Sequence, residues 1–456
     1  MTRPGPPAQP PGTAQRLRAA GIGLAVATAL AAFFLALPEP GEERLAPPAP
    51  GFVVQDVRLF DGEILTDRAT VVVRAGRVVE AGPDLAVPPD LPVVDGRGHT
   101  LLPGLIDAHV HTWGNALAET LNFGVTTVLD MFSDPAAART LRRTRDALAP
   151  REHADLFSAG WLATAAGGHG TQFGLPVPTL ATPDEAPGWV DARLAEGSDF
   201  VKIVYEPRDA HGLGPPFPSL DLATMTALVA ATQARGHRAV VHVTRLGPAV
   251  EAVEAGADGL VHAPADRVAD ERLLQQARDR DAFVIPTLAV IAGFDPTPPP
   301  AGEAREGRRF AADPAVRPFI TPEQRRGLEY EPGTKLVMSN LQTALDTVRA
   351  LHAAGVDVLA GSDAPNPGTA HGASLHHELE LLVRAGLTPT EALRAATALP
   401  ARRFGLADRG RIAPGQRADL LLVAGDPSAD IRATRAIVRI WKNGSAVERR
   451  RYPEAP

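Results

Sequence analysis

Six side chains that can bind a metal or carry a proton stand at or beside the ends of short apolar runs: His109, His111, Lys202, His242, His262 and Asp363. His109 and His111 close LLPGLIDAHVH, and Lys202 lies in DFVKIVYE. His242 stands in RAVVHV, His262 in DGLVHA, and Asp363 ends GVDVLAGSD. Imidazoles, a lysine and a carboxylate at the carboxyl ends of successive parallel strands converge on one point above a barrel. Such a set reads as a metal site, and hydrolysis is the first chemistry it suggests. The chain holds 13 histidines, and four of them occupy these termini, which makes coincidence a poor account.

His109 and His111 are two residues apart, so a strand presents both on one face. Alone, such a pair is as well explained by core or surface histidines. Joined by three later strand ends it becomes a ligand set of imidazole and carboxylate, suited to Zn²⁺, with Mn²⁺, Co²⁺ or Fe²⁺ as alternatives. Lys202 adds the distinctive element. Only Lys202, Lys335 and Lys442 are lysines among 46 basic residues, so arginine serves nearly every routine surface role. A lysine in an apolar strand therefore calls for a chemical reason. Beside two divalent ions its pKa falls, and the neutral amine can take up CO₂ to give an anionic carbamate that bridges both. The competing reading keeps Lys202 as a plain amine beside a single metal, hydrogen-bonded to substrate. With two metals sharing a water, hydroxide is available near neutrality, and Asp363 is both ligand and base. Asp363 would take the proton as hydroxide attacks and pass it to the leaving amine, while a metal stabilises the oxyanion.

The elements that position these residues follow a βα rhythm from Leu101 to about Phe404. The fold class predicted is α/β, a (β/α)8 TIM barrel over 104–404. A β-rich segment at each end, 51–103 and 405–456, predicts one small composite β-sandwich. Eight barrel strands can be named: GLIDAHVH, GVTTVLDMF, ADLFSAG, FVKIVYE, AVVHV, GLVHA, AFVIPTL and VDVLAGSD. Helices such as LDLATMTALVAATQARG and NLQTALDTVRALHAAG intervene, each ending at a glycine. Residues 291–336 are Pro-, Gly- and Arg-rich without a period, and read either as a lid on the site or as a surface insertion.

Residues Ala19 to Leu37 carry no charge, and as a helix would span about 28 Å. Arg3, Arg16 and Arg18 precede them, so the rest of the chain is expected outside the cytoplasm, periplasmic or secreted. Residues 1–37 are either a cleaved signal peptide or a signal-anchor helix that holds the chain to the membrane through 19–37. Residues 38–50 read as a Pro-rich linker. The chain has no cysteine, which excludes disulfides, thiolate zinc sites, a cysteine nucleophile and an acylated lipoprotein anchor. A net charge of −7 with no basic stripe argues against nucleic acid as a partner. A small-molecule substrate is expected, and a homo-oligomer is compatible.

In this order the motifs resemble the amidohydrolase superfamily, over nearly all of the chain after the linker. LLPGLIDAHVH looks like its first barrel strand, and VVHVTRLGPAVEAVEAGADGLVHAP like its fifth and sixth. VLAGSDAPN resembles the eighth, and LTPTEALRAATALPARRFGLADRGRIAPGQRADLLLVAGDP the closing helix and the return to the sandwich. The resemblance implies a binuclear site, with His109, His111, Lys202 and Asp363 on the more buried metal. Lys202, His242 and His262 would hold the other, the carboxylated lysine being the bridge. The chain looks nearest to the imidazolonepropionase-like branch, which includes dipeptidases of the prolidase kind. Imidazolonepropionases proper are mononuclear and lack the bridging lysine, so Lys202 favours the dipeptidase-like reading.

Three residues are candidates for substrate binding. His169, in AAGGHGTQFG after the third strand, resembles the Gly-Gly-His-Gly loop whose histidine contacts substrate, or else caps its own turn. Tyr205 could donate to the substrate oxyanion, or pack on the opposite face. Arg245 could grip a free carboxylate or form a rim salt bridge. His376, His377 and Glu378 open the last helix and read as supporting groups. The leading expectation is an exported hydrolase cleaving an amide C–N bond of a dipeptide or N-acyl amino acid. The alternative keeps the metals and changes the bond to a cyclic amide, lactone or phosphotriester. A relative that has lost catalysis and serves as a binding protein would lack ligands, and none is lacking.

Overall fold

Short runs of Val, Ile and Leu become fully buried strands, and the amphipathic stretches between them become helices. The computed structural model describes residues 46–206, 217–331 and 340–452. The chain divides into two units, Met1–Ala46 and Pro47–Pro456, and all that follows concerns the second. The apolar stretch Ala19 to Leu37, and with it the expected signal peptide or anchor, lies outside the described residues, as does Lys335. Among the described residues no helix is long and apolar enough to cross a membrane.

Two parallel sheets carry the site. One joins Leu105–Val110, Val125–Asp130 and Asp155–Ser158 in chain order. The other joins Val201–Val204, Ala239–His242, Gly259–Val261 and Phe283–Ile285, also in chain order. Nearly every residue of these strands is buried on both faces, as a parallel sheet covered by helices requires. Single parallel bridges continue the hydrogen bonding beyond each sheet: Ala163 to Ile203, Val284 to Val358, and Val110 to Ala364. The architecture is a TIM-barrel-like α/β fold.

The expected eighth strand, VDVLAGSD, is reduced to a bridge at Val358, with a second bridge just beyond it at Ala364. Its extended course ends because Asp363 adopts φ +55°, a left-handed conformation outside the ladder geometry. Helix termini follow the sequence more closely. Asp221 accepts from the Thr224 N–H at the start of Leu222–Gln233, and Asn340 accepts from Thr343 N–H before Leu341–Ala353. The glycines beyond them, Gly236 and Gly355, take φ of +75° and +83°.

Strands from both ends of unit two share one further sheet. Leu420–Ala424 pairs antiparallel with His99–Pro103 on one side and with Ile437–Lys442 on the other. Gly51–Phe60, Leu65–Arg74 and Arg77–Gly82 extend it on the His99–Pro103 side. Phe52 and Trp441 stack at 4.7 Å although two strands separate theirs, so the sheet curls over its own core. All of these strands belong to a single hydrogen-bonded sheet, where two facing sheets of a sandwich were expected.

The stretch expected to lack a period contains helices Leu288–Phe294, Glu306–Ala311 and Pro322–Leu328. A capping box of Thr321 and Gln324 starts the last of them. Phe310, Val316, Ile320 and Leu328 pack with Phe123, Ala370 and Ala373, so this segment has an apolar core of its own. Residues 332–336 lie outside the described ones.

Candidate metal centre

The strand ends bring the six residues together. His109 lies within Leu105–Val110 and His111 just beyond it, while Lys202 lies within Val201–Val204. His242 is the last residue of Ala239–His242, and His262 follows Gly259–Val261. His262, Thr287 and Asp363 all have positive φ, of +72°, +51° and +55°. Three strained non-glycine residues at one set of strand ends are what a site held by its surroundings displays.

Asp363 is the hub. Its Oδ1 lies 3.2 Å from His109 Nε2 and 3.0 Å from His111 Nε2, and its Oδ2 lies 4.0 Å from His262 Nδ1. His262 Nε2 faces His242 Nδ1 at 3.1 Å, and its Nδ1 meets the Thr287 hydroxyl at 2.6 Å. His109, His262 and Asp363 each offer a ligand atom within 4.8 Å of the others, a set that could hold one metal ion. Nδ1 of buried His109 lacks a hydrogen-bond partner among the described residues, while its Nε2 faces Asp363. Burial pushes its imidazole down to about 3, with the Lys202 charge adding to the effect, so the ring is neutral and its lone pair available. His262 is likewise held well below its ordinary range, by burial first. Burial alone would raise the Asp363 carboxyl, but His109 and His111 outweigh it and hold it well below the usual range. Neutral imidazoles around an ionised carboxylate are a donor set that fits a divalent cation.

Lys202 is buried, and its side chain makes neither hydrogen bond nor ion pair among the described residues. Burial pushes its ammonium down to about 7, against the opposing pull of Asp363 and Asp130. An amine half-neutral at physiological pH is the form that reacts with CO₂.

The three candidate substrate residues part company. His169 is half-buried and stacks on His242 at 5.1 Å, so its loop does reach the cluster. Arg245 is half-buried immediately before the helix Leu246–Glu254, and its charge favours the ionised form of Glu206. Tyr205 donates its hydroxyl to Glu251 at 2.5 Å, on that same helix, which commits the proton expected for a substrate oxyanion. Burial and that acceptor push the phenol above its ordinary range.

The helix Ala373–Ala385, which two shorter helices follow, behaves as a support. His376 bridges the Phe123 carbonyl and the Thr434 hydroxyl, and Glu378 accepts the N–H groups of Leu288 and Ala289. His377 stacks on Phe310 at 5.1 Å.

Several supporting carboxylates escaped the sequence reading. Asp107 accepts the hydroxyl and N–H of Ser362 and the N–H of His109, tying the first strand to the segment that carries Asp363. Burial pushes it up to about 6, with those hydrogen bonds opposing. Asp130 accepts the hydroxyls of Thr112, Ser133 and Ser158. Glu206 accepts the Thr244 hydroxyl, its other oxygen 3.5 Å from His242 Nε2, and burial pushes it up to about 8. Asp130 and Glu206 stand at the ends of the second and fourth named runs, so the strand-end argument applied to every carboxylate would have found them. Asp107 lies two residues before His109 and so shares its face.

Comparison with known proteins agrees with this geometry. The model of the amidohydrolase family matches residues 100–447. An imidazolonepropionase of Deinococcus deserti is 42% identical over 103 residues, 22% of this chain. The match spans about a quarter of that relative's own length, 26%. Among solved structures, a Xaa-Pro dipeptidase with methionine bound in its active site superposes with a TM-score of 0.69 at 21% identity. It covers 87% of this chain and 100% of its own. A prolidase complexed with N-methylphosphonate-L-proline gives 0.68 at 21% identity, covering 88% and 100%. The chain therefore belongs to the amidohydrolase family, metal-dependent hydrolases of carbon–nitrogen bonds.

Proposed function

We propose that this protein is an exported, metal-dependent amidohydrolase that cleaves the amide C–N bond of a dipeptide or N-acyl amino acid. The observation that carries the reading is the convergence of His109, His111, His242, His262 and Asp363, with buried Lys202 near enough to interact electrostatically with Asp363, His109 and His262. His109, His111, Lys202 and Asp363 would hold one divalent ion, and Lys202, His242 and His262 a second. When bound, Zn²⁺ or a similar ion lowers the pKa of water from 15.7 toward about 7 and polarises the scissile carbonyl.

The chain's own residues do the rest. Neutral Lys202 would add CO₂ to give a carbamate and release a proton, turning a neutral amine into an anion that suits both ligand sets. Asp363, held ionised, accepts the proton of the attacking water and returns it to the departing amine. Thr287 and Glu206 orient the rings of His262 and His242 through the nitrogens they face. His169 and Arg245 offer a hydrogen bond and a positive charge to the substrate carboxylate. Support for a closed (β/α)8 barrel over 104–404 comes from the three single bridges between its sheets. Support for a composite small domain of 51–103 and 405–456 comes from the pairing of Leu420–Ala424 with His99–Pro103. Export rests on the charge-free stretch Ala19 to Leu37 behind its arginines. The partial match to an imidazolonepropionase favours a cyclic amide as the second reading.

The test is metal content per chain on full-length protein purified without chelator and with bicarbonate, followed by a screen of dipeptides, N-acyl amino acids and cyclic amides. Near two equivalents, falling in Lys202→Ala, are expected. Near one equivalent, indifferent to that substitution, would overturn the bridge and move the substrate to the cyclic amides.

A further inference from the structure

We propose that the substrate of this amide hydrolase carries an aromatic ring, which is held between Trp113 and Phe173 above the buried ring of Phe132. The inference rests on the amide-hydrolase reading and adds the class of side chain it selects. Trp113 and Phe173 are 41% and 58% exposed, and among the described residues no other aromatic side chain is exposed. Aromatic residues are only 5% of the chain, so the exposure of two in one place calls for a cause.

Both rings touch the same neighbour. Trp113 meets Phe132 at 6.2 Å and Phe173 meets it at 6.1 Å. Phe132 is buried, lies edge-on to His111 at 6.4 Å, and is backed by Trp161 at 5.9 Å. The aromatic surface thus begins at a candidate metal ligand and ends in solvent. Ring pairs at these separations attract one another, and a third ring placed against two exposed ones would gain further contact.

A second, independent feature is the loop that supplies Phe173. The same loop carries His169, which stacks on His242. Its course is fixed by crowding: a Cβ on Gly168 would lie 2.3 Å from the Thr164 hydroxyl, and Gly170 has φ +99°. One loop therefore sets a ring contact with His242 and, through Phe132, an aromatic contact beside His111. A substrate spanning the two has its scissile amide over the metals and its ring on Phe132. Trp113, two residues beyond His111, adds a second exposed ring against Phe132.

The experiment uses the metal-loaded full chain and three compounds: N-acetyl-L-alanine as parent, N-acetyl-L-phenylalanine with a ring on the amine side, and phenylacetyl-L-alanine with a ring on the acyl side. At least one ring-bearing compound should exceed the parent in kcat/KM by about tenfold. Trp113→Ala and Phe173→Ala should each cut that ratio severalfold, whereas Val438→Ala, at an exposed site on the curled sheet, should leave it unchanged. Equal rates for all three compounds, or a preference that survives both aromatic substitutions, would overturn the proposal. Calorimetric binding of 3-phenylpropionate against propionate separates the two inferences. If no amide is cleaved but the phenyl compound binds more tightly and loses that advantage in both variants, the aromatic site stands while the hydrolase reading falls. If neither cleavage nor binding favours the ring, the aromatic site falls.

Discussion

Lys202 and Lys442 are both buried in strands, yet their surroundings are opposite. The Lys442 ammonium lies 2.8 Å from Asp155 and 2.7 Å from Asp419. Arg409 binds Asp155 at 2.8 Å, Arg417 joins Asp408 at 2.8 Å, and Asn443 donates to the Ala149 carbonyl. Burial would raise Asp155, but Lys442, Arg409 and Arg417 outweigh it and hold the carboxyl well below its usual range. This cluster sits at the amino end of the strand Asp155–Ser158, away from the carboxyl ends that carry the histidines. Around Lys202, by contrast, lone pairs face one another, and among the described residues no acceptor is within hydrogen-bond distance of the amine. A buried network in which each cation meets a carboxylate, even with Asp155 Oδ1 left unbonded, holds a structure together. One with donors and acceptors left over is arranged for something else, at a cost to stability.

Breaking the chemistry should give the largest effect. Asp363→Asn is expected to lower kcat/KM on an amide substrate by about 10³–10⁴-fold, with metal content also reduced. Activity within tenfold of the parent would remove Asp363 from the reaction. Breaking the answered network comes next. Lys442→Met strands Asp155 and Asp419 and should destabilise the fold by about 3–5 kcal/mol in urea unfolding. A loss under about 1 kcal/mol would show that the neighbouring arginines suffice.

The same change at the other lysine should have the opposite sign. In metal-free protein Lys202→Met removes an unanswered charge and should stabilise the fold at pH 6 by roughly 1–3 kcal/mol. The pH dependence sharpens this. Lys202 drops to about 7 from 10.5, so between those values the unfolded chain binds more protons than the fold. Parent stability should then rise with pH across that window, and the gain from Lys202→Met should shrink from pH 6 to pH 10. Urea titrations at several pH values read it directly, and a gain that grows with pH would contradict it.

Much of this site was readable in the chain. Residue type at a strand end found all four histidines, Lys202 and Asp363, because a parallel strand offers its carboxyl end to the same face of the fold. The glycine stops at Gly236 and Gly355 were equally plain. Scarcity of lysine was a weaker guide. It picks out Lys442 as readily as Lys202, and only the fold reveals that Asp155, 287 residues away, answers the former. Tyr205 was lost for the same reason, since its acceptor Glu251 belongs to another element. The helices within 291–336 were missed although Thr321 and Gln324 spell a capping box, because too few apolar residues follow for a period to emerge. The eighth strand failed locally, at the left-handed Asp363.

The pairing of Leu420–Ala424 with His99–Pro103 has a bearing on how the chain comes to be made. The Thr100 hydroxyl reaches the Gly425 carbonyl across 325 residues, so this seam has no partner until nearly the whole polypeptide has left the ribosome. Contacts of such separation form slowly. A chain built this way finishes its fold by joining its two ends, after the barrel strands between them have been made.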